Sequence, residues 1–189
     1  WVFTYTISPP TITAPAPGSA TVACISNAQT VPPPPAVNNS CGAPASVTGP
    51  VIGPDPVCSG TKTYTWTYTD CTGNTVQYVF TYTITPPTFT LPAAGSSTVP
   101  CIADAQVVPT PPSVTNSCGA TITPTGPVVS PDPVCGGTKT YTWTYTDCAG
   151  APQQWVYTYT INPTTFTLPA PGGSTVPCVS NAQTVPTPP

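Results

Sequence analysis

The sequence has 189 residues and carries very little charge. It contains two basic and five acidic residues and no His, for a net charge of −3, together with 31 Pro and 14 Gly. Such a chain cannot build the basic surface that neutralises nucleic-acid phosphates, it lacks the imidazole of most acid–base and nucleophilic catalysis, and no apolar run approaches the roughly 18 residues of a membrane-spanning helix. The composition therefore argues against an enzyme, a nucleic-acid-binding protein and a membrane span.

The sequence repeats itself with a period of 77 residues. Val2–Ile7 returns with conservative changes as Val79–Ile84 and as Val156–Ile161. Successive copies agree at about 70% of positions and align without insertion. The chain has no Met and contains about two and a half copies. We interpret it as a piece of a long tandem array.

Proline pairs mark the expected joints between repeats. The aromatic strand that ends at Ile84 is followed by Pro86 and Pro87, and Pro163 occupies the same place one period later. Proline cannot continue a hydrogen-bonded ladder. We therefore expect residues 1–8 to be the last strand of a preceding repeat, complete repeats at 9–85 and 86–162, and the start of a further repeat at 163–189.

The strand pattern is strongest at residues 61–70, where aromatic residues alternate with Thr. Its partner is expected at 76–85. Shorter strands are expected at Thr88–Leu91, Ser97–Val99, Ala105–Val108 and Val128–Val129. No window has helical periodicity. About seven short strands per repeat, separated by turns, predict an all-β chain of tandem immunoglobulin-like β-sandwich repeats joined by Pro-rich linkers.

A glycine-containing loop joins the two aromatic strands. If residues 72–74 form this loop, aromatic residues face one another across the hairpin. The expected pairs are Tyr68 with Tyr78, Trp66 with Phe80, and Tyr64 with Tyr82. Such cross-strand pairs contribute about 0.2–1 kcal/mol each. We expect this ladder to form one wall of the core, with Thr residues on the opposite face.

The cysteines predict a disulfide framework in an oxidising, extracytoplasmic compartment. Each 77-residue repeat is small enough to need such staples. Cys58 and Cys71 flank a strand about 30 Å long and cannot pair, because a disulfide needs Cα atoms within about 7 Å. Two sets remain open: Cys24–Cys58 with Cys41–Cys71, or Cys24–Cys71 with Cys41–Cys58.

All nine cysteines are candidate disulfide residues, and their spacings of 17, 17 and 13 within a repeat fit no zinc motif. Cys178 is expected to have its partner beyond the end of this sequence. The nine are Cys24, Cys41, Cys58, Cys71, Cys101, Cys118, Cys135, Cys148 and Cys178.

Several motifs of the repeat are together similar to those of a known family. TKTYTWTYTDCTGN at residues 61–74 is followed by YVFTYTI at 78–84 and PPTF at 86–89, and is preceded by NSCG at 39–42 and DPVC at 55–58. Over essentially the whole unit this resembles the HYR-like (hyalin-repeat-like) repeats of giant bacterial surface proteins. The resemblance implies an Ig-like fold, export across the envelope, often by type IX secretion, and roles in adhesion, gliding or surface filaments. It brings no catalytic residues.

A surface with so little charge needs another source of solubility. Rows of Thr hydroxyls offer one, either bare or as carriers of O-glycans, and Pro-rich Thr segments such as residues 108–112 resemble mucin-like acceptors. The alternative is that Thr simply favours exposed strand positions. The candidate O-glycosylation residues are Thr61, Thr63, Thr65, Thr67, Thr69, Thr81, Thr83, Thr110, Thr138, Thr140, Thr142, Thr144 and Thr146.

Acidic and Trp residues favour structural roles over ligand binding. Asp70 and Asp147 follow the long strand, where Asp commonly caps a turn, and a calcium site would need several converging oxygen ligands. We expect no metal and no cofactor. Trp66 and Trp143 are expected in the core, whereas Trp155 fits either a core position or a sugar-binding platform.

Two functions from different classes remain. The first is a structural repeat segment of a long extracellular filament or surface stalk, O-glycosylated on Thr; the alternative is a glycan- or surface-binding adhesin module. The near-identity of successive repeats favours the first, because each unit of an array buries its surface against its neighbours. The expected partners are neighbouring repeats, lateral copies in a filament and covalent glycans, with no nucleic acid.

Overall fold

A computed structural model describes residues 1–183, 185 and 187–188. This part of the chain contains ten β-strands and three short 3₁₀ helices, Ile25–Gln29, Ile102–Gln106 and Val179–Gln183. The strands are β1 (Gly18–Val22), β2 (Ser46–Ile52), β3 (Gly60–Thr69), β4 (Thr75–Ile84), β5 (Gly95–Val99), β6 (Val114–Thr115), β7 (Thr121–Ile122), β8 (Thr125–Val129), β9 (Gly137–Thr146) and β10 (Pro152–Ile161).

Two four-stranded sheets of the same topology build the two repeats. Their strand orders are β1-β4-β3-β2 and β5-β10-β9-β8. The first strand of each repeat pairs in parallel with its last, and the other pairs are antiparallel. A shorter layer completes each unit, namely the β6–β7 pair in the second repeat and the Asn38–Pro44 bridge in the first. The chain is thus all-β, with tandem Ig-like repeats.

An aromatic wall fills the core of each repeat, because period-two alternation places the rings of adjacent strands on one face. Tyr64, Trp66 and Tyr68 on β3 are at most 3% exposed. Trp66 packs against Tyr78 with ring centroids 5.6 Å apart. Trp143 repeats the position of Trp66 in the second core, so the core positions predicted for these two tryptophans are confirmed.

The register of the aromatic hairpin differs by two residues from the expected one. Trp66 lies opposite Tyr78, and Tyr64 lies opposite Phe80. A shift by two residues keeps every side chain on its face, so the aromatic wall is unchanged. The expected pairs are wrong: Tyr68 with Tyr78, Trp66 with Phe80, and Tyr64 with Tyr82.

Asp70 accounts for this register. Its backbone N–H donates to the Asn74 carbonyl at 3.0 Å, and its Oδ1 accepts from the backbone N–H groups of Thr72 and Asn74, both at 2.9 Å. The loop therefore spans residues 70–74 rather than 72–74. The predicted role of Asp70 in an Asx turn is confirmed.

Two of the shorter predicted strands are not strands. Thr88–Leu91 pairs with no neighbour, and Ala105–Val108 overlaps the 3₁₀ helix Ile102–Gln106. Ala105 is fully buried there, and its carbonyl accepts a hydrogen bond from the Tyr141 hydroxyl at 2.8 Å. A tertiary contact thus overrides the local β-propensity. The other two predicted strands lie within β5 and β8.

Residues 1–8 form no strand, although they resemble the end of β4 in sequence. All eight are exposed. Their counterpart β4 pairs with β3, and both edges of β3 are taken, by β4 and β2, as both edges of β9 are taken by β10 and β8. The β-propensity of residues 1–8 alone therefore does not make them a strand.

Candidate functional site

Two disulfides lie at the joint between the two repeats. Cys24 is bonded to Cys118, with Cα atoms 5.7 Å apart, and Cys58 is bonded to Cys148, with Cα atoms 5.5 Å apart. Both Cα separations are typical of disulfides. Each bridge therefore crosses from the first repeat to the second.

The pairings expected within a repeat are wrong: Cys24–Cys58 with Cys41–Cys71, and Cys24–Cys71 with Cys41–Cys58. The elimination that produced them assumed that each repeat closes on itself. In the structure, two cysteines of the first repeat bond two cysteines of the second.

Turns closed by side-chain hydrogen bonds present the two cysteines of the second repeat. Cys118 lies between β6 and β7, where Asn116 Oδ1 accepts from the backbone N–H groups of Cys118 and Ala120, both at 3.0 Å. Cys148 lies in the β9–β10 loop, where Asp147 Oδ1 accepts from the Ala149 N–H at 2.9 Å. Each bridge therefore ends on an ordered loop.

The linker between the repeats is fastened beside these bridges. The Thr85 N–H donates to the Val22 carbonyl at 3.0 Å as the chain leaves β4. Further on, the Ser117 N–H donates to the Thr88 carbonyl at 2.7 Å, and the Thr88 N–H donates to Ser117 Oγ at 3.1 Å. The two disulfides thus hold the joint, and each end of the linker is fastened to its own repeat, at Val22 in the first and at Ser117 in the second.

A cleft of about 360 Å³ lies between the repeats at the joint. Its walls include Ile25 and Val57 from the first repeat and Pro87 and Ala120 from the second, and no charged residue lines it. The cleft therefore offers neither an acid–base pair nor a set of ligands for a cation.

A buried lysine organises the end of the first repeat that carries Cys24 and Cys58. Lys62 is 4% exposed, and its Nζ donates to Asp55 Oδ1 at 2.7 Å and to Gln29 Oε1 at 2.5 Å. Gln29 Nε2 in turn donates to Asp55 Oδ1 at 3.0 Å. The three side chains join the 3₁₀ helix after Cys24 to the loop before Cys58.

Within this group, Lys62 and Asp55 stabilise each other's charged forms. Hydrogen bonds from Lys62 and then Gln29 hold the pKa of Asp55 below its usual 3.8, and the hydrogen bond to Asp55 raises the pKa of Lys62 above its usual 10.5. The ion pair therefore persists across the neutral range. The Asp55 side chain is 48% exposed, so solvent screens its side of the pair.

The second repeat contains the same group of side chains. Lys139 Nζ lies 2.6 Å from both Asp132 Oδ1 and Gln106 Oε1. Sequence reasoning did not find this role for the lysines. The available signal was that the only two lysines of the chain lie one period apart.

The structure places twelve of the thirteen candidate glycosylation residues on the two long hairpins, with the aromatic residues on the opposite face, and one in a Pro-rich segment. Five are exposed: Thr61, Thr83, Thr110, Thr138 and Thr146. Eight are half-buried: Thr63, Thr65, Thr67, Thr69, Thr81, Thr140, Thr142 and Thr144. Their glycosylation stays a prediction.

Trp155 is a core residue rather than a surface platform. It is 7% exposed, its ring packs against Trp143 with centroids 5.4 Å apart, and its Nε1–H donates to the Ala93 carbonyl at 2.9 Å. The structure therefore does not present it to a sugar.

Over residues 1–183, 185 and 187–188, no three His, Cys, Asp or Glu side chains are grouped as a metal site requires. The same part of the chain has no helix with the length and hydropathy needed to cross a membrane.

Comparison with known proteins agrees with this architecture. A search of curated proteins gives no match. A family model described as "HYR-like domain with 4 cysteines" matches residues 12–84 and 89–161, which together make up more than half of the chain. Each match contains one complete set of four cysteines, and this domain type is non-catalytic. The chain belongs to the family of HYR-like domains with four cysteines and contains two of them in tandem.

Proposed function

We propose that the chain is a structural repeat segment of a long extracellular filament or surface stalk. The observation that carries the proposal is the pair of disulfides at one joint. A single bridge would leave the repeats free to pivot about it. Two bridges on separate loops oppose bending and twisting, which is the property that a load-carrying fibre needs.

The bridges also stabilise the folded state against unfolding. They link residues separated by 94 and 90 positions, and closing one loop of this size stabilises the folded state by about 4.7 kcal/mol in the chain-entropy model. Such bonds persist in an oxidising environment. This supports the extracellular or cell-surface localisation that we propose.

Small-angle X-ray scattering tests the mechanical part of the proposal. The oxidised chain should scatter as a stiff rod of two repeats in line, and mild reduction should make the two units reorient independently. Cys178→Ser, which removes a cysteine outside both bridges, is the control and should scatter like the parent. Independent reorientation of the two units in the oxidised chain would contradict the proposal.

O-glycosylation of the Thr face is the second part of the proposal. It is supported by the low charge of the chain and by the exposed members of the Thr set. Intact mass measurement and glycopeptide mapping of material from the native source test it. A mass above that of the polypeptide, mapped to exposed Thr residues, is expected. A bare mass would contradict this part and would indicate that the Thr faces pack laterally against other chains.

An adhesin module is the alternative, and it loses support because Trp155, its best aromatic platform, is buried. Binding of the two-repeat chain to a glycan array would support the adhesin hypothesis. We expect no binding to the array.

A further inference from the structure

We infer that the four free cysteines at the two ends of the tandem pair form the same two bridges to a further copy of the repeat. In this arrangement Cys101 bonds the copy's Cys41, and Cys135 bonds its Cys71. The inference deepens the proposed structural role, on which it rests, by naming the partner of each repeat and the covalent bonds that hold it.

The first argument is positional. Every cysteine of a repeat is either a tail cysteine, which bonds forward, or a head cysteine, which bonds backward. At the observed joint the tail cysteines are Cys24 and Cys58, and the head cysteines are Cys118 and Cys148. The free residues are shifted from them by one period of 77: Cys101 from Cys24, Cys135 from Cys58, Cys41 from Cys118, and Cys71 from Cys148.

The head cysteine Cys41 already has the backbone of its bonded equivalent. Asn39 Oδ1 accepts from the N–H groups of Cys41 and Ala43, both at 3.0 Å, as Asn116 does around Cys118. The glycine that follows has φ +82° at Gly42 and +81° in the second repeat. Cys41 is thus presented in the bonding geometry without a partner.

The second head cysteine, Cys71, lies in an equally ordered loop. The Gly73 N–H donates to the Asp70 carbonyl at 3.1 Å, and the Gly150 N–H donates to the Asp147 carbonyl at the same distance beside the bonded Cys148. The loop around this head position therefore has the same backbone hydrogen bond in both repeats.

The tail cysteines match in the same way. Cys24 has φ −133° and ψ 149°, and Cys101 has φ −132° and ψ 152°. The turn after Cys58 uses Gly60 with φ +141°, and the turn after Cys135 uses Gly137 with φ +140°. The lysine-centred group that joins the two tail loops is also present in both repeats.

The free pairs lie at opposite ends of the tandem. The free head pair belongs to the first repeat and the free tail pair to the second, and all four cysteines are exposed and outside the observed joint. The free head cysteines at one end of the tandem pair are thus the bonding counterparts of the free tail cysteines at the other end. The partner that fits is a further copy of the repeat, docked head to tail, and a second copy of this chain supplies that repeat in the test below.

Bond formation needs an oxidant, which the extracellular compartment supplies as a small-molecule disulfide. The Cys101 thiolate attacks one sulfur of that disulfide and releases a thiol. The Cys41 thiolate of the partner copy then attacks the Cys101 sulfur, forms the protein disulfide and releases the second thiol. Each bridge removes two electrons and two protons from the protein thiols and reduces one molecule of oxidant.

Two complementary variants of the 189-residue chain test the inference, both with Cys178→Ser. The tail-only variant carries Cys41→Ser and Cys71→Ser, and the head-only variant carries Cys101→Ser and Cys135→Ser. Each is incubated with oxidised and reduced glutathione, alone and mixed, and the products are separated on non-reducing gels. Cross-linked peptides are then identified by mass spectrometry.

We expect each variant alone to stay monomeric and the mixture to stop at a covalent dimer that contains the Cys101–Cys41 and Cys135–Cys71 peptides. Monomers in the mixture, equal self-dimerisation of either variant, or crossed pairs such as Cys101–Cys71 would overturn the inference. Peptide mapping of the same monomers for Cys24–Cys118 and Cys58–Cys148 reports separately on the joint. Loss of those bridges would count against the proposed function itself.

Discussion

Cys24 and Cys118 are bonded to each other although 94 residues separate them, whereas Cys41, only 17 residues after Cys24 in sequence, is not bonded to it. At the observed joint the cysteines therefore stabilise the contact between units rather than the interior of one unit. The aromatic wall and the aliphatic residues packed against it form that interior.

The Cys24–Cys118 bridge should contribute strongly to stability. Replacing both residues by Ser should lower the free energy of unfolding by about 2–4 kcal/mol, because the unfolded chain regains the entropy of a long loop. The urea midpoint measures the effect. The control Cys178→Ser should stay within about 0.5 kcal/mol of the parent. Equal midpoints for the double variant and the control would show that the bridge is absent or ineffective.

Removing the hydroxyl of Tyr64 should lower the free energy of unfolding. It is 1% exposed and donates to the Ala28 carbonyl at 2.7 Å. Tyr64→Phe leaves that buried carbonyl without its donor and should cost about 1–2 kcal/mol of unfolding free energy. Tyr157→Phe is the matched control, because the Tyr157 hydroxyl makes no hydrogen bond within the described residues. If the two variants unfold at the same denaturant concentration, the buried hydrogen bond is not formed.

The lysine-centred group should stabilise the end of the first repeat that carries Cys24 and Cys58. Lys62→Met keeps the apolar stem of the side chain but leaves Gln29 Oε1 without its donor, so the melting temperature should fall. Lys139→Met should have a similar effect, since its contacts are the same. Calorimetry measures both, with Asp104→Ala as an exposed control. Unchanged melting of both lysine variants would contradict this role.

Acid should weaken the hairpin through Asp70. Burial disfavours its charged form, but hydrogen bonds from Thr72 and Asn74 outweigh burial and lower the pKa of Asp70 from 3.8 to about 2. Because the folded-state pKa is depressed, the stabilisation is fully present above pH 3.8 and is lost as the pH falls towards about 2. Asp70→Asn should therefore be less stable than the parent at neutral pH and approach it in acid. A stability difference that stays constant over this range would exclude the carboxylate as its source.

The sequence was sufficient to predict the sheet and its aromatic face, because alternation at a period of two is a local property of β3 and β4. The register was not predictable in the same way. It depends on whether the turn closes at Asp70 or at Cys71, and that choice is made by hydrogen bonds to a single carboxylate.

The 3₁₀ helix around Ala105 and the disulfide pairing were beyond local reasoning for a different reason. The helix is fixed by a tyrosine 36 residues away, and the pairing is fixed by how one repeat sits on the next. Neither relationship leaves a pattern within a single unit. The 77-residue period shows which cysteines are equivalent in successive repeats. Only the observed joint shows which of them bond to the following repeat.

Disulfide mapping of the oxidised chain, with free thiols blocked before digestion, tests the central claim most directly. We expect cross-linked peptides that join Cys24 to Cys118 and Cys58 to Cys148, with Cys41 and Cys71 recovered as blocked thiols or bonded to a second copy. Peptides that join Cys24 to Cys58 or to Cys71 would contradict the account, because each repeat would then be stapled to itself and the joint would be held by the linker alone.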